Sequence, residues 1–359
     1  MKVSQGIAVF AAALVAVVAS VSRAASPASP ASSPSSFMVA VSNERSGDVS
    51  LIDGESRKVV DTIRVGKRPR GIAASRDGKF LYVALSGSPI AGPPGKDGKD
   101  EGNLPPADRA ADGIGVIDLA ARKLIKVMPS GVDPEQFALS GDGSKMYIAN
   151  EDAAQVSVLD LASGKIVKQI KVGDEPEGMK LSPDEKTVYV TCETRGEIFS
   201  IDTASDEGAE LVVTVRGRPR SIAFLPDGSR GYVPAETLGT VSVVDVGAKK
   251  IVNTIDLPKG ARPMGTLMSR DGSRLFISAG RATYVYAIDT KANEVVGAAK
   301  VGIRAWGMAM SPDEKLLFVA NGPSNDLSVV DAGTMKEVAK VGCGDSPWGV
   351  AVVLGVKSE

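Results

Sequence analysis

A short pattern of strand and turn residues comes round seven times in this chain, and nothing else in it constrains the fold as strongly. The copies read Arg70-Gly-Ile-Ala-Ala, Glu135-Gln-Phe-Ala-Leu, Glu177-Gly-Met-Lys-Leu, Arg220-Ser-Ile-Ala-Phe, Met264-Gly-Thr-Leu-Met, Trp306-Gly-Met-Ala-Met and Trp348-Gly-Val-Ala-Val, with starts 65, 42, 43, 44, 42 and 42 residues apart. A period of about 40–45 residues built of short strands is that of a propeller blade. Each copy carries four strand signals. The Gly-Ile-Ala segment is the innermost, followed by a turn such as Ser75-Arg-Asp-Gly-Lys, then a second strand such as Leu81-Tyr-Val-Ala. A third strand ends on Asp, as in Val156-Ser-Val-Leu-Asp, and a fourth resembles Lys165-Ile-Val-Lys-Gln-Ile. Period-2 alternation of β-branched residues is the strand signature, and Ser, Pro, Asp and Gly set the turns.

The expected architecture is therefore an all-β, seven-bladed propeller of four-stranded blades. The chain ends on an inner strand at Trp348 and starts on a second strand at Phe37. Seven complete blades form only if the N-terminal strands pair with the C-terminal inner strand, which leaves no open edge. Inner strands converge on the axis, so the residue at Gly71, Gly178, Gly265, Gly307 and Gly349 lets backbones approach; Gln136 and Ser221 are the exceptions.

Ahead of the repeats, Lys2, the apolar residues 6–21 and the small residues Ser22 and Ala24 read as a secretory signal peptide, 1–24. The apolar run is short for a span of about 20 residues, so no membrane span is expected after cleavage. Residues 25–36, rich in Ser, Pro and Ala, form a tether with nothing to bury, and the propeller occupies 37–359. The expected location is the periplasm or the exterior, and the expected state is a monomer. Without Lys2 and Arg23 the chain carries 40 basic and 43 acidic residues, which gives no electrostatic case for nucleic acid. The two cysteines, Cys192 and Cys343, fall in blades too far apart for a bridge and are expected to be free.

The repeat resembles the YVTN-type seven-bladed propellers, through Val188-Tyr-Val-Thr-Cys and Tyr147-Ile-Ala-Asn. Segment 103–118, reading Asn-Leu-Pro-Pro-Ala-Asp-Arg-Ala-Ala-Asp-Gly-Ile-Gly-Val-Ile-Asp, is similar to the subgroup associated with PQQ-dependent alcohol catabolism. That resemblance implies an exported accessory protein, with a periplasmic quinoprotein dehydrogenase or a cytochrome as partner.

Connections from strand four to the next blade share a face with the loops between strands two and three. On that face the residue before each Pro, or its equivalent, is Arg68, Asp133, Glu175, Arg218, Arg262, Arg304 or Ser346, and the residue after is Arg70, Glu135, Glu177, Arg220, Met264, Trp306 or Trp348. The candidate binding residues are Arg68, Arg70, Arg218, Arg220, Arg262, Arg304, Trp306 and Trp348, because arginines beside aromatics can clamp a planar anion. The competing reading pairs the charges with neighbours and packs the tryptophans between blades. On this reading of the clamp, Arg70→Ala with Trp348→Ala removes binding and leaves the melting temperature nearly unchanged. Glu44, Glu151, Glu193 and Glu236 recur at one loop position and suit either a cation or bonds between blades. Asn43, Asn150 and Asn321 precede that position and read as ties for the loop backbone. An insertion in blade one, 86–112, is about 22 residues longer than its counterparts and reads as a lid or docking loop. Its run Asp97-Gly-Lys-Asp-Glu-Gly-Asn has oxygen ligands without the spacing of a calcium loop.

The chain has no histidine, which removes His-ligated metals, Cys-x-x-Cys-His haem attachment and every Ser/His or Cys/His nucleophile. No cofactor and no catalytic residue are expected. Two alternatives to a binding protein remain: a lactonase-like hydrolase working through carboxylates, with or without a cation among Glu151, Glu193 and Glu236, and a surface adhesin or antigen held out by the tether.

Overall fold

The computed structural model describes Met1 and residues 36–90 and 104–355. Apart from Met1 and Ser36, the leader and the tether lie outside the described residues, as do the Asp97-Gly-Lys run and the chain's last four residues. The described chain forms seven four-stranded antiparallel sheets. Blade one spans 69–128, blade two 134–171, blade three 176–214, blade four 219–256, blade five 263–300 and blade six 305–342. Blade seven joins Pro347–Leu354 to Phe37–Asn43, Asp48–Asp53 and Val59–Arg64, with Val39 opposite Val352 and Ala40 opposite Ala351. Both chain ends of the ring are thereby covered, as the repeat required.

Local chemistry repeats with the strands. The Asp that ends each third strand accepts a backbone N–H from the following turn, for instance Ser56 to Asp53, Ser163 to Asp160 and Thr334 to Asp331, at 2.7 Å each. On the same face, in the turns between the first and second strands, Ser75 donates to Asp77 and Ser182 to Asp184, both at 2.6 Å. These are side-chain-stabilised turns, which fix loop length and so strand register.

Apolar residues pack between blades rather than within one. Met38 and Leu51 of blade seven share a cluster with Leu81 and Val83 of blade one, and Tyr232 and Val241 of blade four share one with Leu275 and Ile277 of blade five. Each blade buries its faces only against its neighbours, so the hydrophobic effect stabilises the closed ring as a unit.

The ring is closed tightly at its axis. A Cβ added to Gly71, Gly178, Gly265, Gly307 or Gly349 would lie only 2.5–2.7 Å from the carbonyl oxygen of the next blade's residue. Ser221, one of the exceptions, uses its hydroxyl to donate to the same carbonyl, that of Met264, at 2.6 Å. Inner strands are thus pressed backbone against backbone, and the residue just before each of these positions is brought to the rim of one channel.

Candidate functional site

Seven side chains meet there: Arg70, Glu135, Glu177, Arg220, Met264, Trp306 and Trp348. All are buried except Arg220, which is partly so. Going round, the ring has a charged half and an apolar half.

The charged half is internally paired. The Arg70 guanidinium donates to Asp133 at 2.7 Å, Glu135 at 2.8 Å, Glu151 at 2.9 Å and the Pro134 carbonyl at 2.8 Å. Arg220 reaches Glu236 at 2.7 Å, Glu193 at 3.0 Å and also Glu177. Arg218 pairs with Glu193, and Arg68 with Glu44 at 2.8 Å. The recurrent glutamates therefore serve arginines, mostly across a blade boundary, and not a cation; among the described residues no group of acidic or thiol side chains is arranged to hold a metal ion. Burial pushes the Glu135 and Glu177 carboxyls up, against the pull of Arg70 and Arg220. Glu151 is pushed up to about 7, by desolvation first and then by the neighbouring Glu135, and only partly offset by Arg70.

In the apolar half, Met264, Trp306 and Trp348 form one cluster, with the two indoles 5.1 Å apart and tilted by 34°. The Arg220 guanidinium lies 5.2 Å from the Trp306 ring centroid and that of Arg304 lies 5.5 Å from it. Both distances are within cation–π range. Arg304 is exposed and Arg262 half-buried, and among the described residues neither makes an ion pair.

The reason is a change in the repeat. Arg68 and Arg218 find the loop glutamate of the preceding blade, Glu44 and Glu193. Blade five has Gly280 at that position, and this glycine packs beside the Arg304 stem and the Met264 sulfur. Arg262 has Glu236 in the preceding blade, but Glu236 is engaged by Arg220. Desolvation then lowers the Arg304 pKa, with Glu44 a weaker opposing influence.

All eight predicted binding residues thus come to one mouth, in two different states. Arg70, Arg220, Arg218 and Arg68 are engaged by carboxylates, Trp306 and Trp348 pack together, and Arg262 and Arg304 are left without an acidic partner. The predicted harmlessness of Arg70→Ala has to be corrected. Arg70 is 1% exposed and its removal strands three carboxylates.

The insertion's described ends are fixed to this same region. Asp108 donates its backbone N–H to Gly87 at 2.9 Å, and Lys67 pairs with Asp108 at 2.7 Å. Arg109 pairs with Asp152 of blade two. Both cysteines are free, and burial pushes each thiol up to about 12, so neither is a reactive thiolate. Of the three asparagines, Asn150 ties loop backbone, donating to the Ser130 carbonyl at 2.9 Å, while Asn43 and Asn321 bond third-strand side chains instead.

The inner strands hold one further residue that the sequence reading does not single out. Lys180 lies in the inner strand Pro176–Leu181, where the other copies have Ala73, Ala138, Ala223, Leu267, Ala309 and Ala351. It makes no hydrogen bond or ion pair among the described residues, and desolvation lowers its pKa. An exposed side chain in an inner strand can only meet solvent in the axial channel, so this amine stands inside the propeller. Laying the seven copies in register would have found it.

Comparison with known proteins agrees with the architecture. Residues 99–182 match the YNCE-like beta-propeller family, and residues 231–349 match the cytochrome D1 heme domain. Antigen Lp49 of Leptospira interrogans is 29% identical over 143 residues, a match covering 32% of this chain and 31% of that protein's length. Among solved structures, the periplasmic gluconolactonase PpgL of Pseudomonas aeruginosa is 21% identical with a TM-score of 0.70, covering 90% of this chain and 100% of that one. Hydrazine synthase of Kuenenia stuttgartiensis is 22% identical with a TM-score of 0.66, covering 79% of this chain and 89% of that one. The chain is a seven-bladed β-propeller. At these identities the solved structures speak for the fold alone. With no histidine in the chain, a haem held by imidazole has no ligand here, so the likeness to a heme domain does not extend to that chemistry.

Proposed function

We propose that this propeller is an exported, non-catalytic binding protein whose mouth takes a carboxylate or similar anionic group, from a small ligand or a partner protein, on Arg262 and Arg304 beside Trp306. The observation that carries this reading is the substitution of Gly280 for the loop glutamate, which leaves the Arg304 guanidinium stacked on an indole without a carboxylate. A desolvated cation gains most from an anion that arrives with the ligand. The paired arginines and the packed tryptophans form the rigid seat around it.

The resemblance of segment 103–118 supports a finer reading, in which the partner is a quinoprotein dehydrogenase or cytochrome of periplasmic PQQ-dependent alcohol oxidation. The test is capture with the tagged mature protein from its own cell envelope fraction after growth on an alcohol. A stoichiometric partner held by the wild type and lost with Arg262→Ala/Arg304→Ala supports the reading. Equal capture by both proteins would overturn the role of the mouth, and no captured partner would overturn the accessory role.

A second reading has one observation in its favour. Glu151, with its pKa raised to about 7, is suited to general acid–base work near neutrality, as a lactone hydrolase would need. Lactone turnover that disappears in Glu151→Gln would replace the binding reading.

A further inference from the structure

Blade five departs from the repeat a second time, on the outer side of the same face. In four of the other six blades the third strand carries Ser at its third position, with Gly115 in blade one and Phe199 in blade three. In three of those four the Ser is hydrogen-bonded to an Asn of the second strand: Asn43 with Ser50, Asn150 with Ser157 and Asn321 with Ser328. Blade five replaces that pair with Ala279 and Tyr286, and places Tyr284 two residues earlier on the same side of the strand Tyr284–Asp289. The connection from blade four, Leu257 to Pro263, is also two residues longer than Val65 to Pro69 or Val172 to Pro176.

Together these changes open a groove of about 440 Å³ between blades four and five, lined by Pro258, Lys259, Gly260, Tyr284, Tyr286 and Ala298. That volume is in the range that holds a small ligand. The two phenol rings stand side by side, 6.1 Å apart and only 20° from parallel, as one aromatic wall. Tyr286 is 5% exposed, yet its hydroxyl has no hydrogen-bond partner among the described residues. Of the buried tyrosines in other blades, Tyr147 donates to Asp206 at 2.7 Å and Tyr232 to the Thr290 carbonyl at 3.2 Å, while Tyr189 of blade three, like Tyr286, has no partner among the described residues. The Tyr286 hydroxyl oxygen is not among the buried atoms without a partner, so solvent in the groove reaches it, and a ligand oxygen entering the groove can take that water's place as acceptor.

We infer that this groove binds a small aromatic carboxylate, its ring against Tyr284 and Tyr286 and its carboxylate between the Tyr286 hydroxyl and the Lys259 ammonium. The lining contains one cation and no carboxylate, which selects for an anion over a cation. Its apolar and aromatic surface, with two phenol hydroxyls, suits a flat ring better than a sugar, whose many hydroxyls would find few partners. Burial raises the Tyr286 pKa, with Tyr284 adding to it, so the phenol stays a donor. The site is separate from the Arg262 and Arg304 mouth and does not depend on that reading.

The test uses the full mature chain with benzoate as probe, followed by ligand-observed NMR and calorimetry. Benzoate should bind saturably with a dissociation constant of about 1 mM or below. Tyr286→Phe and Lys259→Met should each weaken it by about tenfold, the loss expected for one hydrogen bond to a charged group. Benzyl alcohol and cyclohexanecarboxylate should bind more weakly than benzoate, and Arg304→Ala should leave benzoate binding unchanged. Three results would overturn the proposal: no saturation, loss with Arg304→Ala but not with Lys259→Met, or glucose competing as well as benzoate. Unaltered thermal unfolding of Tyr286→Phe separates loss of the site from loss of the fold.

Discussion

Arg218 in blade four and Arg304 in blade six hold the same register of the repeat, each with a left-handed backbone, at φ 62° and 56°. The first meets Glu193 from the preceding blade; the second meets Gly280. Blades one to four spend their mouth charges on one another through Arg70, Arg220 and Arg218, and Arg68 pairs with Glu44 of blade seven. In blades five and six the same positions leave two arginines free, beside the chain's two tryptophans. The comparison shows that an arginine at this mouth is paired or left without an ion pair according to the loop residue on its neighbour and to whether that residue is already engaged, as Glu236 is by Arg220. It also shows where a repeat protein can acquire a site without disturbing its frame, since the strands on both sides are alike.

The strongest way to break the comparison is to remove a paired arginine. Arg70→Ala leaves Asp133, Glu135 and Glu151 with uncompensated charge in a buried setting and should cost about 3–5 kcal/mol in denaturant unfolding. Arg304→Ala, by contrast, should stay within about 0.5 kcal/mol of the wild type, as for an exposed side chain without an ion pair. Equal losses in the two variants would erase the distinction drawn here.

A smaller effect concerns pH. Glu151 titrates near 7 in the folded protein against its usual 4.5, so folding favours its protonated form. Its contribution is therefore fully present below about 4.5 and is lost as pH rises toward about 7. Glu151→Gln should flatten the pH dependence of stability across that window, measured by thermal unfolding at a series of pH values. The smallest effect is that of Lys180→Met. Desolvation depresses this amine, which penalises its charged form in the folded state. The variant should melt slightly higher at neutral pH, with the gain shrinking as pH approaches 10.5.

Much of the fold could be read from residues 37–354, because each blade is local in sequence and its Gly, Pro and Asp positions report the turn geometry directly. Ring closure followed from the phase mismatch between Phe37 and Trp348. The mouth was legible only as a set of positions. Which charges pair depends on blade-to-blade register: Glu151 meets Arg70 of the blade before it, and Glu193 meets Arg218 and Arg220 of the blade after it. Neither separation is visible in a single repeat. Lys180, Tyr284 and Gly280 are ordinary in their own strand or loop: Lys180 and Tyr284 stand out only against their six counterparts, and Gly280, matched by Gly322 in blade six, only against the glutamates of four other blades.

The most direct test of the divided mouth is optical. Trp306 and Trp348 are the only tryptophans in the chain, and Arg304 lies over one of them. Tryptophan emission should therefore change saturably when a short poly-glutamate peptide is titrated in at low salt. That change should vanish in Arg262→Ala/Arg304→Ala and persist in Arg68→Ala. An emission change that survives the double substitution, or one lost equally with Arg68→Ala, would contradict the account.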